Sequence, residues 1–305
     1  MDSVFAARDA ELVDAWFERN ARGHDRRLEI WPDGALSIAR DLSDAPHRGF
    51  HASIKLGLTG DFEMRSAEGV QRLAAVIVAP SVEHSTDARG TTVVSLLVDP
   101  ESDEYARVAH WLAGGTGVCV LPEHIAEPLR RKLIVKLAAD EPFPALWDSV
   151  FGDLSCVPPL KRYRDARVHK VAALLKESFA DPPSAAELAA HVNLSVSRLV
   201  HLFTEGMGVS LRTYVHWLRM RDVLFAIAGG ESLTLAAHRA GFSDLPHLTR
   251  KFRDMFGEPP SKIGRGGAGS SLSFVHRLRP ASVHRVADVA RIEEVLKNSE
   301  RPQRL

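Results

Sequence analysis

Short apolar stretches separated by turn residues dominate the first 121 residues. They lie at Leu28–Trp31, Ala35–Arg40, Ser53–Gly57, Phe62–Arg65, Leu73–Val78, Thr91–Val98 and Val118–Leu121. Turn-forming groups such as Pro32-Asp33-Gly34 and Gly114-Gly115 fall between them. Many short strands at regular spacing are typical of a β-sandwich or barrel. The pattern therefore predicts a β domain.

Helical periodicity surrounds the predicted strands. The first 20 residues predict an amphipathic helix, and residues 102–112 predict a second, short one. In residues 122–155 apolar side chains recur every three or four positions, interrupted by Pro142 and Pro144. This predicts a pair of helices that pack either on the β domain or on a second subunit.

The second half of the chain is helical almost throughout. Two adjacent prolines, Pro158 and Pro159, predict a linker over residues 156–164 between a first domain at 1–155 and a second at 165–265. A Gly/Ser-rich stretch predicts a flexible tail over 266–305. Within it, residues 282–297 have the pattern of a last amphipathic helix, which either packs on one of the domains or a partner or is a frayed end. Apolar periodicity in the second domain predicts helices at Ala166–Phe179, Ala185–Val192, Val196–Glu205, Leu211–Ala228, Leu233–Ala240 and Leu245–Phe256.

One unit occurs twice in this helical half, beginning at Ser184 and again at Ser232. Ser184 and Glu187 have the spacing of a capping box, and Gly241 stands where a tight turn requires a positive φ. Two short helices joined by such a turn describe a helix-turn-helix, whose second helix can enter the major groove. A single copy could equally be a hairpin in a bundle, but two copies joined by the long helix Leu211–Ala228 favour the helix-turn-helix.

The formal net charge of zero hides an asymmetry along the chain. Residues 1–160 contain 16 Lys and Arg against 25 Asp and Glu, whereas residues 161–265 contain 16 against 10. A basic second half favours contact with a polyanion.

The longest motif is Ala237-His-Arg-Ala-Gly-Phe-Ser-Asp-Leu-Pro-His-Leu-Thr-Arg-Lys-Phe-Arg-Asp-Met-Phe-Gly-Glu-Pro-Pro-Ser261. With this motif, residues 165–265 resemble the DNA-binding domain of AraC/XylS-family transcriptional regulators. Leu248 departs from the usual Phe, and Ile263-Gly264 replaces the usual closing Tyr-Arg. The resemblance implies an all-α domain of two helix-turn-helix units joined by a long helix. It also implies double-stranded DNA and RNA polymerase as partners, a homodimer, and no enzymatic activity.

The resemblance also implies which side chains contact DNA. Arg250 is the strongest predicted base reader, because a guanidinium can bond guanine O6 and N7, although a salt bridge to Asp254 is the alternative. Free N–H groups at the helix starts, near Ser195 and Asp244, could hold phosphate. The predicted groove-facing positions are Val196, Ser197, Val200 and His201 in the first unit, and Leu245, Pro246, His247 and Arg250 in the second. The predicted phosphate contacts are Arg198, Lys251 and Arg253, with Lys262 and Arg212, each of which could equally be solvated surface.

The first domain is similar to the cupin-like barrel that commonly precedes the AraC/XylS reading domain. The similar segments are Ala75–His84 and Leu97–Ser102. We therefore expect an α+β protein with a cupin-like barrel or jelly roll that binds a small effector, dimerises, or both. The predicted pocket residues are Arg40, His51, Lys55 and His84. Which strand faces point inward stays open, because a register slip of one residue reverses every side chain.

The sequence leaves two other functions open besides the regulator. His47, His51 and His84 could form a three-histidine metal site, but the His-x-His pair and glutamate spacing of metal cupins are absent, so we expect no metal or other cofactor. The alternatives are a cupin-type metal-dependent enzyme with a helical appendage and a ligand-free regulator controlled by a protein partner. No apolar run approaches the roughly 20 residues of a membrane helix. Two cysteines, Cys119 and Cys156, fit a reducing cytoplasm.

Overall fold

The computed structural model describes residues 2–21, 24–31, 34–156, 165–262 and 271–274. It confirms the mixed α+β class, with strands in the first half of the chain and helices in the second. The strands are β1 (Arg26–Trp31), β2 (Gly34–Arg40), β3 (His47–Arg48), β4 (Ala52–Gly57), β5 (Phe62–Ser66), β6 (Gly69–Leu73), β7 (Ala75–Val78), β8 (Glu83–Asp87), β9 (Thr92–Val98), β10 (Val118–Val120) and β11 (Ser271–Phe274). The helices are α1 (Asp2–Asn20), α2 (Asp103–Trp111), α3 (Glu123–Ala138), α4 (Phe143–Asp153), α5 (Ala166–Ser178), α6 (Ala185–His191), α7 (Val196–Met207), α8 (Leu211–Ala228), α9 (Leu233–Arg239) and α10 (Leu245–Phe256).

The strands form two sheets, which together we call the β domain. A seven-stranded sheet has the order β10-β7-β4-β9-β2-β1-β11, and a four-stranded sheet has the order β3-β8-β5-β6. Their described pairings are antiparallel except for β1 with β11, which are parallel. In the central strand β4, Ile54 and Leu56 pack on one face of the large sheet, whereas Ser53 and Lys55 line a cavity on the other. This is the two-residue alternation of a strand.

Helices cover one face of the large sheet. The core on this face joins Trp16 of α1, Leu133 of α3 and Trp147 of α4 to Leu36 and Ile54 of the sheet, and all five side chains are almost fully buried. Of the two packing alternatives for residues 122–155, the structure therefore places α3 and α4 on the β domain. None of the helices in the described residues combines the length and apolar character needed to cross a bilayer.

The opposite face of the large sheet meets the helical domain, α5–α10. One continuous core joins Leu28, Ile30 and Phe50 of the β domain to Trp217 and Leu224 of α8. Phe50 stacks on Trp217, with ring centroids 5.2 Å apart and planes 9° apart. The helical domain thus closes the inner side of the β domain.

Three strands and part of the predicted tail differ from the sequence-based expectation. Strands β3 and β8 were not predicted, because their inward side chains are polar and leave no hydrophobic signal. Strand β6 was not predicted either, because Leu73 is its only residue within a predicted apolar stretch. Residues 271–274, expected in the flexible tail, form β11, which pairs with β1. This pairing gives hydrogen-bond partners to backbone groups of β1 that an edge strand would leave unpaired. The segment 282–297 and most of the predicted linker lie outside the described residues.

Local capping signals fix the helical boundaries. In the helical domain, α8 and α10 have the predicted bounds, and the other four helices differ from prediction by one or two residues at their C-terminal ends. The Ser184 side chain accepts from the Glu187 N–H and the Glu187 carboxylate accepts from the Ser184 N–H, so the predicted capping box is present. Ser232 caps α9, and Gly241 adopts φ +80°.

Candidate nucleic-acid interface and interdomain cavity

Helix α7 buries one face and exposes the other. Leu199, Phe203 and Met207 recur at four-residue steps and are at most 1% exposed. They anchor α7 in the core of the helical domain. The opposite face keeps Val196 and Val200 43% and 40% exposed, which is unusual for large aliphatic side chains. The other predicted groove-facing and phosphate-contacting residues of α7 are exposed as well: Ser197, Arg198 and His201.

Helix α10 repeats this arrangement. Leu248, Phe252 and Met255 are buried. Arg250 and Arg253 are exposed on the remaining surface. Both helices pack through one core that includes most of α8, so α8 fixes the position of α7 relative to α10. Of the other predicted contacts, Pro246 is exposed and Leu245, His247 and Lys251 are half-buried.

The two helix starts differ in charge. Ser195 Oγ accepts from the Arg198 N–H at 3.2 Å, which leaves α7 with a neutral cap. At α10 the carboxylate of Asp244 accepts from the His247 N–H, and this hydrogen bond holds the pKa of Asp244 below its usual value. A permanent negative charge there repels phosphate. The Asp244 carboxylate therefore disfavours the phosphate contact predicted at the start of α10.

Arg250 has no ion pair among the described residues, because Asp254 pairs with Lys251 instead, at 3.2 Å. The salt-bridge alternative for Arg250 is thus not realised. Cationic side chains lie close together around α10. The pKa of His216, on the neighbouring α8, is lowered to about 4, mainly by burial and next by the positive charges of Lys251 and Arg212.

Thr204 and Glu205 lie beside the predicted groove-facing residues of α7, and the sequence analysis did not single them out. Ser197, Val200, His201, Thr204 and Glu205 line one open concave surface of α7. Glu205 Oε2 lies 3.7 Å from His201 Nδ1, and both side chains are exposed. The four-residue spacing from Val200 to Thr204 and from His201 to Glu205 was the available signal, because residues four apart share a helix face.

A cavity of about 110 Å³ lies between the β domain and the helical domain. Its floor is a polar row across β2, β9 and β4, where Ser37 pairs with Ser95 and Ser95 with Lys55. Its opposite wall comes from the helical domain: Trp217 and Leu224 of α8, and Met255 and Phe256 of α10. The cavity thus touches the core side of a predicted reading helix.

Three of the four predicted pocket residues line this cavity. Lys55 Nζ donates to Asp44 Oδ2 at 3.2 Å and to Thr86 Oγ1. His84 and His51 are buried, and burial lowers the pKa of each to about 3. Arg40 is not among the lining residues: its guanidinium donates to Asp14 of α1 and lies over the Phe17 ring.

The three histidines do not converge on one point. His47 and His84 are paired across β3 and β8 with ring centroids 4.4 Å apart, whereas His51 packs edge-on against Trp217 at 4.1 Å. The described residues contain no group of three or more His, Cys, Asp or Glu side chains suited to a metal ion.

Residues 188–266 match the family model of a helix-turn-helix domain. The transcriptional activator RhaS of Escherichia coli is 30% identical over 105 residues, which cover 34% of this chain and 38% of RhaS. The multiple antibiotic resistance protein MarA of Escherichia coli is 25% identical over 120 residues, 39% of this chain and 94% of MarA. The C-terminal domain is a helix-turn-helix domain of the AraC/XylS type. The chain spans well under half the length of RhaS.

A likeness in fold extends beyond the AraC/XylS-type domain. A crystal structure of apo ToxT from Vibrio cholerae superposes with a TM-score of 0.52 over 77% of this chain and 97% of that chain, at 13% identity. The same two-part fold, a β domain followed by a helical domain, is therefore present in both.

A polar contact fastens the β domain to the AraC/XylS-type domain beside the cavity. Glu101, in the turn after β9, accepts from the Tyr214 hydroxyl of α8 at 3.2 Å and lies 2.9 Å from Lys176 Nζ of α5. Asp99 is buried beneath this turn and accepts from the Glu101 N–H at 2.7 Å. On another side, Ala45 N–H donates to the Gly257 carbonyl at 3.0 Å. The AraC/XylS-type domain is thus held by bonds from several elements.

Replacing Asp99 with asparagine tests the protonation of this contact. Burial, followed by the nearby Glu101 carboxylate, raises the pKa of Asp99 to about 7. The stabilising contribution of its proton is complete below the unfolded pKa of about 4 and is lost as pH rises through 7. Asp99→Asn keeps the acceptor without the charge. We therefore expect the Tm of the variant, relative to the parent protein, to rise between about pH 4 and pH 8 in thermal melts. A Tm difference that is constant over this range would contradict the assignment.

Proposed function

We propose that this protein is a sequence-specific DNA-binding transcriptional regulator that reads adjacent major-groove segments with α7 and α10. The observation that carries the proposal is the division of each helix into a buried anchoring face and a face that the β domain leaves uncovered. All eight predicted groove-facing positions are exposed or half-buried. α7 and α10 share one core with α8, which holds them in a fixed relative position. Two recognition helices that enter adjacent major-groove segments need such a fixed position.

The chemistry of the uncovered faces supports base reading. The exposed Val196 and Val200 suit thymine methyl groups, and Leu245 can add a similar apolar contact. His201 and His247 can donate to or accept from base edges, while Arg198, Lys251 and Arg253 suit phosphates. Arg250, without an ion pair in the described part of the chain, is free to bond guanine.

Selection of DNA sites with the full-length protein tests the proposal, and Arg250→Ala locates the reader. We expect this substitution to cost about 1–3 kcal/mol at the selected site and to relax one base position, because it removes a bidentate contact. Binding curves on the selected site and on single-base variants measure both effects. Arg253→Ala is the matched control, expected to weaken all sequences equally. An equal loss from Arg250→Ala on selected and random DNA would show that Arg250 is not a reader.

The salt dependence of binding tests the phosphate contacts. With Arg198, Lys251 and Arg253 on phosphates, log Kd is expected to rise steeply with log salt concentration, and Arg253→Ala is expected to lower the slope by about one. Fluorescence anisotropy over a salt series measures the slope. A flat response would remove the electrostatic part of the proposal.

The proposal extends to partners. Because RhaS is named an activator, we propose that this chain also acts on transcription through RNA polymerase, as a cytoplasmic homodimer whose β domain senses a small effector. The cavity shared by the β domain and α10 supports the sensing part. In vitro transcription from a template carrying the selected site, together with light scattering for mass, tests activation and dimerisation.

A further inference from the structure

The cavity between the β domain and the helical domain contains two buried polar atoms without a partner. His84 Nε2 and Ser53 Oγ are both inaccessible to solvent and make no hydrogen bond within the described residues. Each residue is only 4% exposed, and each lines the cavity. Buried polar atoms in folded proteins are almost always hydrogen-bonded to protein, ordered water or a ligand, so two such atoms beside one cavity mark where a molecule in the cavity would find hydrogen-bond partners.

The partner of His84 must be a hydrogen-bond donor. His84 Nδ1 lies 3.1 Å from the Val82 carbonyl oxygen, which can only accept, so Nδ1 carries the proton. Burial keeps the ring neutral by lowering its pKa to about 3. The remaining nitrogen, Nε2, is therefore a lone-pair acceptor. Ser53 can either donate or accept.

The charges at the cavity are already paired. Lys55 lies against Asp44, and Arg26 lies against Glu258. All four residues line the cavity, so the ionised side chains contribute no net charge. A carboxylate or ammonium ligand would add an unpaired charge to a buried site, which is costly. The site therefore favours a neutral molecule.

We propose that this cavity binds a small neutral molecule with an apolar body and a hydrogen-bond donor directed at His84 Nε2. The apolar body lies against Trp217, Leu224 and Met255, so the ligand contacts the β domain and the helical domain together. A ligand that touches both domains changes the free energy of their contact. That this change regulates transcription rests on the proposed DNA-binding function.

Pyrrole and furan form a matched pair of probes. Both are five-membered rings, smaller than the benzene that a cavity of about 150 Å³ accepts, but only pyrrole has a donor. Full-length protein with ¹³C-labelled methionine methyl groups is titrated with each probe to about 20 mM, without DNA. Met255 reports from the cavity wall, and Met207, which does not line the cavity, is the internal control.

We expect pyrrole to shift the Met255 signal, and not that of Met207, with a Kd at least about tenfold lower than that of furan. His84→Phe should abolish the preference for pyrrole. Ser53→Ala should not lower the Tm, because it removes a hydroxyl without a partner among the described residues. Ser85 lies beside His84 on β8 but does not line the cavity, so Ser85→Ala should change neither the preference for pyrrole nor the Tm. Equal affinity for the two probes, or no Met255 shift at the highest concentration, would overturn the proposal. The selection of DNA sites does not depend on the probe titration. A failed titration therefore leaves the DNA-binding proposal standing, and a failed selection leaves the ligand proposal standing.

Discussion

Replacing Gly241 with alanine is expected to destabilise the protein by about 3 kcal/mol or more and to lower the Tm by about 10 °C. Gly241 forms the turn between α9 and α10 with φ +80°, where an L side chain is strained. An added Cβ would also lie 2.3 Å from the carbonyl oxygen of Ala180, at the end of α5. That oxygen accepts from Arg219 of α8 at 3.0 Å, so the backbone at Ala180 is already tied down.

Gly230→Ala is the matched control for Gly241→Ala. Gly230 has φ +93°, but its added Cβ would meet no atom within 4 Å, so this variant carries the backbone strain without the collision. We expect it to cost about 1–2 kcal/mol. Thermal melts of the two variants separate strain from collision. Equal Tm values for both would show that the contact with Ala180 does not constrain position 241.

Truncating Glu101 to alanine is expected to cost about 3 kcal/mol and to loosen the helical domain from the β domain. The buried Tyr214 hydroxyl and the half-buried Lys176 ammonium would lose a shared partner. Leaving a buried hydroxyl and a half-buried charge underpaired is costly. Removing the Glu101 charge would also lower the pKa of Asp99, which that charge helps to raise.

Glu101→Gln distinguishes the hydrogen bond from the ion pair. Glutamine keeps an acceptor for Tyr214 and removes the charge that faces Lys176, so we expect a loss of about 1 kcal/mol. Thermal melts give the stability of both variants, and limited proteolysis near the contact reports whether the domains separate. A Glu101→Ala protein as stable and as protease-resistant as the parent would show that this turn does not fasten the domains.

The sequence pattern was most informative where structure depends on neighbours in the chain. Helix α8 was predicted with its observed bounds, and the capping box of Ser184 and Glu187 was visible as two residues three apart. Caps, turns and helical periodicity are set by bonds between residues a few positions apart, so they can be read without knowing the fold. The same holds for the repeated helix-turn-helix unit that contains α7 and α10.

The hydrophobic pattern did not predict the strands and side chains that surround the cavity. Strands β3 and β8 place His47 and His84 inward, and these polar side chains break the apolar alternation by which strands are recognised. Arg40 was expected in the pocket, but it lies on β2 with its side chain against α1. The sequence left open which face of each strand points inward, and only the pairing register with neighbouring strands fixed it.

By itself, the sequence determined the two helix-turn-helix units, their connecting helix, their caps and the positive φ of Gly241, since each depends on residues close together in the chain. Only the tertiary structure decided that the helical domain closes the β domain, that Gly241 lies against Ala180, and that Lys55 and His84 share a cavity with Met255 of α10. These contacts join residues far apart in sequence, and their register is set by the packing of whole elements rather than by any local signal.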